Sequence, residues 1–103
     1  RWLLAETVRD SRVVIDEGAT RALVHEGRSL LAAGIKSVEG TFARGQTVRI
    51  FAEDGRELAR GITQYNVQAL LQIKGHRSSE IQQILGYLYR PEVIHRNDLV
   101  MLS

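Results

Sequence analysis

Glycines and an Asp-Gly pair divide this chain into short segments, and that division limits the folds that it can adopt. Nine glycines are spread over 103 residues, and the segments between them hold a few apolar residues each, often alternating with polar ones. Short strands joined by tight turns are typical of compact β-rich domains. A membrane-spanning helix needs about 20 consecutive apolar residues, and no segment approaches that length. Since the length also suits one domain, the sequence predicts a single small domain without a membrane span.

Alternation and β-branched residues locate the strands. The predicted strands are 12–16, 35–42, 46–52 and 57–65, with shorter ones around 93–95 and 99–102. Asp54-Gly55 predicts a hairpin turn, because both residue types tolerate positive φ. Gly61 lies inside a predicted strand and indicates a bulge or a close approach of two backbones.

Caps and apolar spacing predict three short helices. Asp16 can cap the first helix and Asn66 the second, and Ser79 with Gln82 matches a capping box for the third. Each apolar face ends at a glycine. In chain order, the faces and stops are Ala19, Ala22 and Leu23 before Gly27; Val67, Leu70 and Leu71 before Gly75; and Ile81, Ile84 and Leu85 before Gly86.

The predicted core lies on the inward side of adjacent strands. Its members are Val38, Phe42, Val48, Ile50, Leu58 and Ile62, covered by Leu23, Leu30, Leu31 and Leu85. The elements run strand, helix, three strands, two short helices and late strands, which is not the regular alternation of a parallel α/β fold. The order predicts a mixed α/β, mostly β domain whose small sheet curls toward a barrel.

These segments resemble, in order, the C-terminal PUA domain of bacterial glutamate 5-kinases. The matching stretches are Asp16-Glu17-Gly18-Ala19, Arg21-Ala22-Leu23, Ser29-Leu30-Leu31, Gly34-Ile35, Val38-Glu39-Gly40-Thr41-Phe42, Arg44-Gly45, Ala59-Arg60-Gly61-Ile62, Tyr65, Ile73-Lys74-Gly75, Ser79-Glu80-Ile81, Ile84-Leu85-Gly86, Val93-Ile94-His95-Arg96 and Leu99-Val100. Each stretch is weak alone, but the ordered series is specific. The resemblance implies a PUA-like pseudo-barrel of about six strands with two or three short helices over 12–103. It makes 1–11 a connecting segment from an N-terminal domain that this chain lacks.

The resemblance also implies an accessory or regulatory role. In the family, an N-terminal amino-acid-kinase domain binds ATP, Mg²⁺ and glutamate and makes L-glutamyl 5-phosphate, the first step toward proline. The expected partners are that kinase domain in the same polypeptide and, through it, other subunits of a homo-oligomer. We expect a cytoplasmic protein, and the lack of cysteine fits a reducing compartment. Ala32 stands where the family pattern has proline, and Gln46 and Asn97 stand where it has aspartate, so any role of those two carboxylates does not carry over.

The residue types that usually carry catalysis form no recognised motif in this chain. His25, His76 and His95 are far apart, and none has a partner at metal-ligand spacing. The serines lack the G-x-S-x-G surroundings of a hydrolase nucleophile. Residues 34–37 are similar to the end of a phosphate-binding loop but lack its adjacent Gly-Lys and its earlier glycine. We therefore expect no catalytic, metal-binding or cofactor-binding residue here, and no enzyme activity from the chain alone.

Four cations leave a second interpretation open, in which the chain is an RNA-binding PUA module of a tRNA- or rRNA-modifying protein. In RNA-binding PUA domains the first helix, the glycine turn after it and a late strand line the RNA groove. The corresponding cations here are Arg21, Arg28, Lys36 and Arg96, which could converge on phosphates. The alternative is a solvated face with local ion pairs. Because the net charge is only +2 and aromatic residues for base stacking are few, RNA is expected to bind weakly.

Overall fold

The structure, a computed structural model, describes residues 7–102 and contains one five-stranded mixed sheet within that range. The strands are β1 (Arg12–Ile15), β2 (Ile35–Glu39), β3 (Thr47–Ala52), β4 (Glu57–Ile62) and β5 (Leu99–Met101), and the α-helices are α1 (Glu17–Glu26), α2 (Val67–Ile73) and α3 (Ile81–Leu85). Single 3₁₀ turns lie at Ala32–Gly34, Ser78–Glu80 and Arg96–Asp98. The prediction of a mixed α/β domain is confirmed, with five strands rather than about six.

The sheet order is β2-β1-β3-β4-β5, and its only parallel pair among the described strands is β1 with β3. Val13 lies opposite Ile50 in that pair, and Ile50 lies opposite Ala59 in the next. Opposite residues share a face of the sheet, and these three are fully buried. This face therefore carries the core, and buried residues of the three helices, such as Leu23 of α1, pack into the same cluster.

The first strand and helix follow the sequence prediction closely. Asp16 caps α1, because its Oδ1 accepts a hydrogen bond from the Ala19 N–H at 2.7 Å. Gly27 ends the helix in the left-handed conformation, with φ 60°. Leu23 and Leu30 are buried as predicted, but Leu31 is exposed, so its assignment to the core was wrong.

Two predicted strands, 35–42 and 57–65, extend three residues beyond the observed ones. β2 ends at Glu39 because Gly40 has a φ of 99°, and a Cβ there would collide with the backbone oxygen of Asp10. Phe42 is buried as predicted, although it lies outside the strand. β4 ends at Ile62, three residues before the predicted end.

A β-bulge changes which residues of β4 face the core. Ile50 pairs with Ala59 but Phe51 pairs with Glu57, so Leu58 is the extra residue. Leu58 stays buried at the bulge. Beyond it, Ala59 and Gly61 point inward, and Ile62 is only half-buried on the other face. The prediction that Ile62 belongs to the core was therefore wrong.

The helices after β4 begin as local caps dictate, with one correction. Asn66 Oδ1 accepts a hydrogen bond from the Ala69 N–H at 2.9 Å, which confirms the predicted cap of α2. The predicted Ser79–Gln82 capping box is wrong: Glu80 instead accepts a hydrogen bond from the Arg77 N–H at 2.9 Å. The glycines 75 and 86 follow the helices as predicted.

The predicted strand at 93–95 is reduced to a single bridge between Leu30 and Ile94. That bridge ties the late part of the chain to the segment after α1, since the Leu30 N–H donates to the Ile94 carbonyl at 2.9 Å.

The apolar faces predicted for the two late helices differ in how well they match the structure. Leu85 and Ile84 of α3 are partly buried against the core, whereas Leu71 is exposed, so the predicted apolar face of α2 is too wide.

The later part of the predicted connecting segment contacts the sheet. Thr7 forms a bridge with Thr47 of β3, and the Val8 N–H donates to the Thr47 carbonyl at 2.8 Å. Ser11 is buried, and its Oγ accepts a hydrogen bond from the Arg49 N–H at 3.0 Å. Residues 1–6 of the predicted segment lie outside the described residues. Between residues 7 and 102 no helix has the length and apolarity to cross a bilayer.

Candidate functional site

Two adjoining grooves lie beside the first helix, and we call them together the α1 groove. One has a volume of about 440 Å³ and the other about 420 Å³, and they share Glu26, Arg28, Ser29 and Leu31. The remaining lining residues are Asp16, Gly18, Ala19, Arg21, Ala22, Ala33 and Gly34 in the first, and Glu92 and Arg96 in the second. The wall is tight where the 3₁₀ turn meets the helix, because a Cβ on Gly34 would lie 2.5 Å from the Ala19 Cβ.

The α1 groove brings together three of the four cations predicted from the sequence. Arg21 and Arg28 line it from the helix side, and Arg96 lines its far end. The Arg96 N–H donates to Ser29 Oγ at 2.8 Å, which attaches the late 3₁₀ turn to the segment after α1. Lys36 is exposed on β2 and does not belong to the lining of either groove.

Carboxylates balance the cations of the α1 groove. Arg28 Nε lies 2.8 Å from Glu26 Oε1, and Arg21 Nη2 lies 3.2 Å from Glu17 Oε1. Asp16, Glu26 and Glu92 line the groove beside the three arginines. Its lining therefore holds three positive and three negative side chains, which is a weak electrostatic field for a polyanion.

A tyrosine cluster that the sequence analysis did not identify lies in the loop after α3. We call residues 86–91 the tyrosine loop. The Tyr87 and Tyr89 rings are 4.9 Å apart, and Tyr89 is 5.5 Å from the buried ring of Tyr65. The Arg44 guanidinium stacks 3.8 Å from the centre of the Tyr89 ring. The run Tyr87-Leu88-Tyr89 was the available indication in the sequence.

The buried Tyr65 hydroxyl holds the tyrosine loop in place. It accepts hydrogen bonds from the N–H groups of Tyr89 and Arg90 at 3.1 and 3.2 Å. It also donates to the Arg90 carbonyl at 2.6 Å. A second tether joins Ser78 Oγ to the Pro91 carbonyl at 2.9 Å. A segment without regular secondary structure is therefore fixed at two points.

The face of the sheet opposite the core carries an arginine cluster. Glu57 binds Arg49 at 3.2 Å and Arg60 at 2.7 Å. Partial burial raises the pKa of Glu57, but hydrogen bonds and charges from Arg60 and Arg49 outweigh burial and leave this pKa below its ordinary value. Arg12 stacks 4.1 Å from the Phe51 ring and covers it. Glu57 is thus ionised and paired with both Arg49 and Arg60. The cluster therefore stabilises the sheet rather than forming a reactive centre.

The histidines lie apart from one another and make local contacts. His95 Nδ1 accepts a hydrogen bond from the Asn97 N–H at 3.1 Å, and His76 Nδ1 lies 3.5 Å from Glu80. His25 is exposed in the last turn of α1. Across residues 7–102 no three histidine, aspartate or glutamate side chains are grouped to hold a metal ion.

Gln46 stands where the family pattern has aspartate. Its side-chain oxygen accepts a hydrogen bond from the Ala43 N–H at 2.8 Å and so closes the turn at 43–46.

Comparison with known families identifies the fold. A family model described as "PUA domain" matches residues 11–85. The chain belongs to the PUA domain family. Among solved structures, a PUA domain from Aeropyrum pernix K1 in a tartrate complex superposes with a TM-score of 0.61 and 24% identity, over 84% of this chain and 41% of that one. An archaeal box H/ACA sRNP complex has a TM-score of 0.56 and 18% identity, over 91% of this chain and 24% of that one. Both likenesses concern the fold alone.

Curated relatives of this PUA domain include glutamate 5-kinases from several bacteria. The protein from Herpetosiphon aurantiacus is 54% identical over 97% of this chain and 27% of its own length. The protein from Deinococcus radiodurans is 51% identical over 99% of this chain and 28% of its own length. This PUA domain thus spans about a quarter of the length of the relatives that it matches.

Proposed function

We propose that this PUA domain is the non-catalytic accessory domain of a cytoplasmic glutamate 5-kinase, the enzyme that converts ATP and L-glutamate into L-glutamyl 5-phosphate on the way to proline. The observation that carries the proposal is the 54% identity to a glutamate 5-kinase across 97% of this chain, which matches only 27% of that relative. The remaining part of such a polypeptide would bind ATP, Mg²⁺ and glutamate.

The described residues support an accessory role on chemical grounds. Phosphoryl transfer needs groups that hold a nucleotide triphosphate and its metal ion. The α1 groove offers a cationic lining matched by carboxylates, and the arginine cluster already binds Glu57. Neither arrangement leaves several converging donors for a triphosphate.

An assay of two proteins tests the proposal. The full-length polypeptide that carries this chain should phosphorylate glutamate in the presence of Mg-ATP, and hydroxylamine should trap the acyl phosphate as a hydroxamate. The 103-residue chain should show no heat of binding when titrated with Mg-ATP. Micromolar binding of Mg-ATP by the short chain, or a full-length protein that forms no hydroxamate, would contradict the proposal.

RNA binding is the second candidate function, and the α1 groove is the observation that favours it. Arg21, Arg28 and Arg96 line the α1 groove, and one structure of similar fold is an archaeal box H/ACA sRNP complex. The carboxylates that line the α1 groove weaken the case for RNA binding, because each of them repels a phosphate.

A further inference from the structure

The tyrosine loop presents an apolar patch that stays nearly half exposed among the described residues. Tyr87, Leu88 and Tyr89 are 40%, 44% and 49% exposed, and they follow one another in the chain. Single exposed apolar side chains are common on proteins, but contiguous ones usually mark a contact surface.

The patch is held rigidly, which favours binding. The Tyr65 hydroxyl makes three hydrogen bonds to the loop, and Ser78 makes one. Tyrosine and arginine in a fixed geometry lose little conformational entropy on association, and both are enriched at the centres of protein interfaces. The loop therefore has the properties of a prepared docking surface.

The charges around the patch indicate the chemistry of its partner. Arg44 and Arg90 flank the tyrosines, and none of the described ion pairs joins either of them to a carboxylate. The loop itself contains no acidic residue. A second copy of this patch would therefore place arginine against arginine, so the complementary surface is apolar with carboxylates at its rim.

The stacking geometry disfavours a nucleobase in the same place. One face of Tyr89 is covered by Arg44 at 3.8 Å, and its ring also contacts Tyr65 and Tyr87. Single-stranded nucleic acids need open ring faces on which bases stack, whereas the exposed edges and Leu88 suit packing against protein side chains.

The route of the polypeptide favours a partner that is attached to this domain. The described chain enters the domain at Thr7, which pairs with Thr47. Arg44 precedes Thr47 by three residues, so their Cα atoms are at most about 11 Å apart. A catalytic part that precedes Thr7, as the proposed function implies, would be tethered near the patch at a high effective concentration.

We propose that Tyr87, Leu88 and Tyr89, with Arg44 and Arg90 at their rim, dock this domain onto the catalytic part of the same polypeptide. The inference rests on the proposed function, which supplies that catalytic part. It adds which residues form the docking surface, and it requires apolar side chains and carboxylates on the facing surface of the catalytic part.

Oxidative footprinting of the full-length polypeptide tests the docking surface. Hydroxyl radicals modify exposed tyrosine and leucine side chains, and mass spectrometry reads each site. Leu88→Asp introduces a charge at the centre of the patch, and Leu71→Asp is the matched control, because Leu71 is 48% exposed on α2. We expect Tyr87 and Tyr89 to be oxidised more slowly in the wild type than in Leu88→Asp, because the catalytic part covers them. Their oxidation should rise several-fold in Leu88→Asp and stay at the wild-type rate in Leu71→Asp.

Each other outcome has a definite meaning. Equal oxidation of the tyrosines in the wild type and Leu88→Asp would overturn the docking surface, while hydroxamate formation by the same protein would leave the proposed function intact. Protection in a polypeptide that forms no hydroxamate would overturn the identity of the partner together with the proposed function. Protection that depends on protein concentration, or that appears only with added single-stranded RNA, would assign the patch to a second copy or to nucleic acid and overturn the proposal.

Discussion

Glu57 lies between Arg49 and Arg60 on the face of the sheet opposite the core, and its surroundings fix its charge. The pKa of Glu57 is lowered in the folded domain. A lowered folded pKa means that folding favours the ionised carboxylate. This contribution to stability is complete above the pKa of the unfolded chain and is lost as the pH falls through the folded pKa.

A Glu57→Gln variant should therefore be less stable at neutral pH, by about 1.5–3 kcal/mol, the usual range for hydrogen bonds to charged groups. The difference from the wild type should begin to shrink as the pH falls below about 4.3, the ordinary pKa of a glutamate, and should vanish only below the lowered pKa of folded Glu57, where the wild-type carboxylate is also neutral. Urea denaturation at neutral and acid pH measures it. Glu53→Gln, at an exposed position of the β3–β4 turn, should stay within about 0.5 kcal/mol of the wild type at both pH values. A constant difference between Glu57→Gln and the wild type across this range would show that the charge is not the cause.

At the scale of elements, β4 depends on a close contact with the end of the chain. A Cβ on Gly61 would lie 2.7 Å from Ile94 Cγ2 and 2.9 Å from Leu99 Cδ2. Real Cβ atoms do not come so close, so the absence of a side chain lets β5 and the Leu30–Ile94 bridge approach β4. Gly61 therefore marks a close approach, one of the two structures that its position in the sequence indicated, but the two nearest atoms belong to side chains and the approaching backbone atom is the Asp98 carbonyl oxygen at 3.0 Å.

Gly61→Ala should destabilise the domain by roughly 1–3 kcal/mol, the usual cost of forcing extra volume into a packed site. Gly18→Ala is the control, because Gly18 lies in α1 and the nearest atom to a Cβ there is 3.6 Å away. That substitution should leave stability unchanged or raise it by up to about 1 kcal/mol. Thermal denaturation of both variants decides the matter, and equal melting temperatures would show that β5 moves aside at no cost.

Local sequence patterns predicted those elements whose structure is determined by residues within or next to them. The cap at Asp16 and the β-branched run of β1 are complete within a few residues, so their structure could be predicted from sequence. The inward face of β4 could not be, because the bulge at Leu58 depends on pairing with β3. The end of β2 likewise depends on Gly40 packing against the backbone of Asp10, which is remote in sequence.

For the whole molecule, charge decides how strongly RNA can bind. Each phosphate contact adds a salt dependence of roughly 0.7–0.9 in log K per log unit of salt. The α1 groove carries three arginines and three carboxylates, so few phosphates can be neutralised. We expect this PUA domain to bind generic tRNA with a Kd of ~10–100 µM at low salt and to lose the binding near physiological salt.

Fluorescence anisotropy at both salt concentrations measures this affinity. An Arg28→Ala/Arg96→Ala variant should weaken the residual binding, and Lys36→Ala, outside the groove, should change it little. Submicromolar binding that persists at physiological salt and collapses in the double variant would make RNA binding the better function.

The candidate site was predictable in part. The cations of the α1 groove could be named from the family resemblance, since they lie on the first helix and near the late turn. That Glu26 and Glu92 line the same groove as these cations became apparent only from the fold. The tyrosine cluster joins residues more than 20 positions apart, so it could not follow from local spacing.

The position of β1 has a consequence for synthesis on the ribosome. β1 is the first strand of the described chain, yet it lies inside the sheet, and Val13 pairs with Ile50, which is 37 residues later. During synthesis β2 can pair with one edge of β1 early, but the other edge of β1 stays unpaired until β3 has left the exit tunnel. An open strand edge invites pairing with other chains. The moment of greatest aggregation risk for a stalled or truncated product therefore lies between the emergence of β2 and that of β3.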